Sequence, residues 1–329
     1  YHPNSAGVYY NLGLLFTYQK NFTQAIEAIE THLKLAPENP EAYNNLGLIH
    51  TYLNQWPQAM RYYEKALTCE NYKSAEVAYN NLAFTCHCLK DYESSIFYCQ
   101  QALKLNPSYV SAYFNMGNAF YEKGESKQAI CAYHRVLELG CDNERIRYNL
   151  GLAYHHCGEF DLAIEQYRKA LEWKLDYYQA YNAMGFAYQN LGNYEEATLC
   201  YRQTLSICPL YAKAVYNLAL TFTEKENYRE ALKWYQRTIE LEEDNIEAYI
   251  NMGFTHDNLG NVSKSIECYQ KALGKNPNNP SLYIILGLAY SRIKQLKKAL
   301  KTYYKAFPYI QGDKGEIYYL IGLAYVSNG

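Results

Sequence analysis

The sequence predicts an all-α solenoid of stacked antiparallel helix pairs, nine full units and half of a tenth. Three observations carry the prediction. First, an Asn–Leu/Met–Gly/Ala signature recurs at Asn11-Leu12-Gly13, Asn45-Leu46-Gly47, Asn81-Leu82-Ala83, Asn115-Met116-Gly117, Asn149-Leu150-Gly151, Asn217-Leu218-Ala219 and Asn251-Met252-Gly253. Variants stand at Ala183-Met184-Gly185, Ile285-Leu286-Gly287 and Leu320-Ile321-Gly322, and successive Gly/Ala positions are 34, 36, 34, 34, 34, 34, 34, 34 and 35 residues apart. Second, aromatic residues keep helical spacing around that signature. Third, a small residue with a tyrosine four residues later marks a second stripe in most units.

Counting the Gly/Ala as position eight, the units run 6–39, 40–73, 76–109, 110–143, 144–177, 178–211, 212–245, 246–279 and 280–313, with a partial unit at 315–329. Positions four, seven, eight and eleven are i, i+3, i+4 and i+7, one face of a first helix. Position four is Tyr9, Tyr43, Tyr79, Tyr113, Tyr181, Tyr249, Tyr283 or Tyr318, and position eleven is usually aromatic. A turn follows, signalled by Gly124, Gly158, Gly192 and Gly260. The second helix carries Ala25, Ala59, Ala129, Ala163, Ala197, Ala231 and Ala299 at position twenty. Tyr63, Tyr133, Tyr167, Tyr201, Tyr235, Tyr269 and Tyr303 occupy position twenty-four. Pro37, Pro107, Pro209 and Pro277 punctuate the unit ends. Small residues at eight and twenty let the two helices approach, and the aromatics fill the space around the contact. Most of the 39 tyrosines are therefore expected to be packing residues.

Composition narrows the function classes. Thirty-one Lys+Arg against 33 Asp+Glu give a net charge of −2, which argues against a nucleic-acid partner. No uncharged apolar run reaches membrane-spanning length, so no membrane insertion is expected. Gly-rich phosphate loops, nucleophile elbows and HExxH motifs are absent, so no enzyme activity and no cofactor are expected. Ten scattered cysteines without CxxC spacing suit free thiols in a reducing compartment, and the cytoplasm is the expected location. Cys86 and Cys99 stand at positions eleven and twenty-four of one unit, where either a local gap or a disulfide fits; free thiols are favoured. Cys86-His87-Cys88 and His155-His156-Cys157 do not make a metal site, because helix neighbours point about 100° apart.

The pattern resembles the tetratricopeptide repeat, most clearly over 178–211 through Tyr181, Met184, Gly185, Tyr188, Ala197, Tyr201 and Pro209. The resemblance implies a right-handed superhelix of about one turn, with first helices lining a concave groove. It implies that positions two, five, six, nine, twelve and thirteen face that groove. Position six then supplies a ladder of Asn11, Asn45, Asn81, Asn115, Asn149, Asn217 and Asn251. Amides both donate and accept, so such a row can hold an extended peptide backbone or bond within the scaffold. The arm of the O-linked N-acetylglucosamine transferase is similar in this respect. Position nine forms an apolar strip that includes Leu152 and Phe186, with Asn118 as the exception, and Tyr148 stands at position five.

Groove acids by position are Glu41, Glu122, Glu224, Glu247, Asp257 and Glu316, against Arg145, Lys213 and Arg292. The expected partner is a protein or peptide in extended conformation, neutral to mildly basic. Position five lacks the lysines of the dicarboxylate clamp found in chaperone-tail adaptors. Unit five places Arg147 where Tyr is usual; Ile146 is expected to take the buried role, with a groove-facing Arg147 or Arg145 as the other reading. The second junction is two residues longer, similar to pilotin proteins of pilus assembly. An assembly factor acting through its convex face or ends is thus one alternative. The substrate-recognition arm of an enzyme is another. Residues 1–5, with Pro3, match the end of a preceding unit, and Gly329 falls at a mid-unit turn, so a piece of a longer chain is expected.

Overall fold

The turn between the two helices of each pair sets the fold. In all nine pairs position fifteen is left-handed: Lys20 (φ 59°), Asn54 (56°), Lys90 (63°), Gly124, Gly158, Gly192, Glu226 (54°), Gly260 and Lys294 (57°). Paired bonds close the preceding helix, as where Gly124 N donates to Tyr121 O (2.9 Å) and Glu125 N to Phe120 O (2.8 Å). This is the 6→1 and 5→2 closure that a left-handed C′ residue permits. The sequence flags four of these turns by glycine; the other five adopt the same backbone with lysine, asparagine or glutamate.

The structure is a computed structural model that describes residues 5–70 and 72–326. Pro3 and Gly329 lie outside the described residues. Among these the chain forms nineteen α-helices, one 3-10 turn and no strand. It packs as two compact units, Tyr1–Lys174 and Leu175–Gly329.

The first unit holds α1 (Ala6–Tyr18), α2 (Phe22–Leu35), α3 (Pro40–Tyr52), α4 (Trp56–Thr68), α5 (Ala75–Cys88), α6 (Tyr92–Leu105), α7 (Val110–Glu122), α8 (Ser126–Glu138), α9 (Glu144–His156) and α10 (Phe160–Trp173). The second holds α11 (Tyr178–Asn190), α12 (Tyr194–Ile207), α13 (Ala212–Glu224), α14 (Tyr228–Leu241), α15 (Ile246–Asn258), α16 (Val262–Lys275), α17 (Pro280–Arg292), α18 (Leu296–Ala306) and α19 (Gly315–Val326). Within each unit the helices form antiparallel pairs that stack on their neighbours. Pro308 sits in a 3-10 turn, Phe307–Tyr309, and α18 ends after eleven residues.

The two stripes form the core. Ala25, Ala59, Ala129, Ala163, Ala197, Ala231 and Ala299 are all fully buried, and the seven tyrosines at position twenty-four are at most 1% exposed. The glycine at position eight exists for that ring: a Cβ on Gly117 would stand 2.6 Å from Tyr133 Cε1. Ala219 shows that one methyl can be accommodated opposite Tyr235, since both are fully buried.

The buried tyrosine hydroxyl needs a partner, and position twelve of the first helix supplies it. The pairs are Tyr63 with Thr51 (2.9 Å), Tyr201 donating to Gln189 (2.9 Å), Tyr235 with Thr223 (3.0 Å), Tyr269 donating to Asp257 (2.9 Å) and Tyr303 with Ser291 (3.4 Å). Four of the five pairs of the first unit depart from this clasp, the first because Ile29 stands where the tyrosine would be. Tyr133 donates instead to Asn118 at position nine (2.8 Å). The Tyr167 hydroxyl is buried without a hydrogen-bond partner among the described residues. In the third pair Cys99 replaces the tyrosine, and the Nδ1 of His87 at position twelve is buried and unpartnered.

Candidate functional site: the first-helix face

Within each unit, positions two, five, six, nine, twelve and thirteen of the first helices carry the ladder asparagines and the other candidate binding residues expected from the sequence. Asn11 is exposed, Asn217 is buried, and Asn45, Asn81, Asn115, Asn149 and Asn251 are half-buried. Arg145, Phe186 and Lys213 are exposed; Tyr148 and Leu152 are half-buried. Tyr148 also packs its ring 5.9 Å from that of Tyr167.

The ladder amides are partly committed to the scaffold. Every ladder asparagine after Asn11 donates one Nδ2–H to the preceding repeat: Asn45 to Tyr10 Oη (2.9 Å), Asn81 to Asn44 (3.0 Å), Asn115 to Asn80 (2.9 Å) and Asn149 to Asn118 (2.9 Å) in the first unit. In the second, Asn217 donates to Asn182 (3.3 Å) and Asn251 to Tyr216 Oη (2.8 Å). The acceptor is position five of the preceding repeat wherever that residue is Asn or Tyr; Phe114 cannot accept, so Asn149 turns to Asn118. One amide has two N–H groups and a carbonyl oxygen, so one bond leaves capacity for a ligand. The ladder braces neighbouring repeats and keeps this residual capacity at the same time.

Two depressions open on this face of the first unit. One, of about 390 Å³, brings Asn81, Asn115 and Arg145 together with Asn80, Phe84, Val110, Ser111, Phe114, Val136, Cys141, Asn143 and Ile146. Arg145 is its only charged residue, and its guanidinium lies 5.4 Å from the Phe114 ring centroid. The second, of about 220 Å³, is lined by His87, Asn118, Tyr121, Glu122, Tyr133, Asn149 and Leu152. The position-nine strip is open to solvent at Phe84 (42% exposed), Phe186 (44%) and Phe254 (44%).

Arg147 is not in this face. Its Nε donates to Asp142 Oδ1 (2.8 Å) and its Nη1 to Gln166 Oε1 (2.8 Å), while Ile146 is buried. Asp257 and Arg292 neutralise each other at 3.0 Å, which removes one acid and one base from the groove inventory. All ten cysteines are unbonded. Burial pushes the Cys86 thiol up to about 11 and that of Cys99 up to about 12. No group of three metal-ligating side chains occurs among the described residues, and no helix there is long and apolar enough to cross a membrane.

Family profiles described as TPR repeat match residues 117–156 and 153–192, and others described as tetratricopeptide repeat match 98–130, 176–244, 246–279 and 268–301. Residues 8–112 match the tetratricopeptide repeat protein 21 C-terminal ARM domain. Small glutamine-rich tetratricopeptide repeat-containing protein 2 of Saccharomyces cerevisiae is 33% identical over 67 residues. That match covers 20% of this chain and 19% of the yeast protein. Among solved structures, the APC/C hetero-tetramer Cut9–Hcn1 shares the fold at TM-score 0.58 and 15% identity, over 82% of this chain and 52% of that one. YrrB, a TPR protein with an unusual peptide-binding site, aligns at TM-score 0.49 and 26% identity, over 56% of this chain and 95% of its own.

Proposed function

We propose that this chain, which belongs to the tetratricopeptide repeat family, is a non-catalytic scaffold whose first-helix face holds an extended segment of a partner protein. The observation that carries the reading is the 390 Å³ depression, where amides with unspent capacity adjoin two phenylalanines and a guanidinium that makes no ion pair among the described residues. Asn80, Asn81 and Asn115 can bond the backbone of an extended chain, Phe84 and Phe114 can take apolar side chains, and water is displaced from both. Such a face reads shape and spacing more than a fixed sequence. The segment is neutral to mildly basic, because Glu41, Glu122, Glu224, Glu247 and Glu316 outnumber Arg145 and Lys213 once Asp257 and Arg292 are paired.

Alanine variants of the ladder are poor tests, since they also remove the brace between repeats. The exposed pair Phe84 and Arg145 is better suited. Capture from native-cell lysate is compared between the parent chain and Phe84→Ser/Arg145→Ser, after circular dichroism has matched their folds. The reading expects a partner retained by the parent and lost by the variant. Undiminished capture of every partner by the variant moves binding off this face.

A further inference from the structure

The 220 Å³ depression differs in chemistry from its larger neighbour. Glu122 is its only residue with a formal charge at neutral pH, because burial holds the His87 imidazole below its usual range and keeps it neutral. The Glu122 carboxylate is exposed and makes no ion pair among the described residues. His87 belongs to the one pair with a cysteine at position twenty-four, so no tyrosine hydroxyl reaches it and its hydrogen-bonding nitrogen stays unspent. Opposite, Asn118 Oδ1 accepts from both Tyr133 Oη and Asn149 Nδ2, which leaves the Asn149 carbonyl oxygen as a further acceptor. Glu122, His87 and Asn149 thus line one small space with no formally positive side chain among the lining residues.

We infer that this depression is a specificity pocket for a basic side chain, lysine or arginine, of the segment held along the first-helix face. The inference rests on the groove reading and narrows it: a cation gains the Glu122 charge and hydrogen bonds from neutral acceptors, whereas an acidic residue meets the repulsion of Glu122. The Tyr121 ring adds an aromatic wall. The adjoining 390 Å³ depression carries the opposite sign through Arg145, so the basic residue has a single place on the bound segment and fixes its register.

The test is selection of a random twelve-residue peptide library on the full chain, on Glu122→Gln, on Arg145→Gln and on Phe84→Ser, with circular dichroism confirming equal folds. The expected result is enrichment of Lys or Arg at one position on the parent and on Arg145→Gln, and its disappearance on Glu122→Gln. Titrating a selected peptide should then show about tenfold weaker binding to Glu122→Gln, as a charge-assisted hydrogen bond implies, with its Lys→Leu counterpart unaffected by the variant. Peptides that depend on Phe84 yet show no basic preference, or keep it on Glu122→Gln, overturn the pocket and spare the groove. Peptides indifferent to Phe84, Arg145 and Glu122, or no peptide at all, overturn both.

Discussion

In residues 175–329 the four complete helix pairs all close the same way, with the position-twenty-four tyrosine bonded to position twelve: Tyr201–Gln189, Tyr235–Thr223, Tyr269–Asp257 and Tyr303–Ser291. In residues 1–174 only Tyr63–Thr51 of five pairs does so. Ile29 and Cys99 replace the tyrosine, Tyr133 bonds position nine, and the Tyr167 hydroxyl has no hydrogen-bond partner among the described residues. The 220 Å³ depression is lined by residues of three of these irregular pairs. The difference teaches where a repeat array acquires individuality. Packing at positions eight and twenty is kept in both regions, and variation at twelve and twenty-four changes which polar groups are satisfied beside the first-helix face.

The largest effect that would sharpen this comparison is truncation of the shared core. Tyr201→Ala should cost about 3–5 kcal/mol by urea denaturation, whereas Cys99→Ala at the same position should cost about 1 kcal/mol, since far less volume is lost. Equal losses would mean that position twenty-four does not carry comparable packing in regular units. The inter-helix turns come next. Gly158→Ala forces a side chain into a left-handed backbone (φ 79°) and should destabilise by about 1–2 kcal/mol, while Lys90→Gly and Glu226→Gly should stabilise by about 1 kcal/mol. A smaller contrast probes the clasp itself. Tyr235→Phe abandons Thr223 and should cost about 1 kcal/mol, but Tyr167→Phe removes an unpartnered buried hydroxyl and should be neutral or stabilising.

The last contrast is with pH. Burial lowers the pKa of His87 in one unit and of His256 in the other. A depressed histidine binds fewer protons when folded, so its contribution is present above the unfolded value near 6.5 and is lost as pH falls through the folded one. Both units should lose stability in mildly acid solution. His87→Phe should flatten that loss in residues 1–174 alone, read by hydrogen exchange along the two segments at neutral and acid pH.

Much of the fold was legible because its requirements are steric and local. Gly117 and Ala129 must be small, Tyr133 must be large, and each recurs at a fixed interval. The turns at Lys20, Lys90 and Glu226 were not legible, because the 6→1 and 5→2 closure imposes a left-handed backbone that a non-glycine residue bears at modest cost. The ladder was visible as a row of amides, but its partners were not. The donor–acceptor rule joins position six of one repeat to position five of the preceding one, and Asn44, Asn80 and Asn182 look unremarked when each unit is read alone. In the sequence His87 is only the middle of the metal-like Cys86-His87-Cys88 triplet. Its significance depends on Cys99, twelve residues later, and that relation emerges only when the regular pairs show what position twenty-four normally supplies.

The central claim is that partners lie along the first helices, and cross-linking tests it most directly. A photoreactive phenylalanine analogue replaces Phe84 on the first helix or Phe97 on the second helix of the same pair, two sites of comparable exposure (42% and 53%). After irradiation in native-cell lysate, mass spectrometry identifies the linked segments. The account predicts short contiguous segments of a partner linked at position 84 and not at 97. The same partner linked at 97 and not at 84 would contradict it.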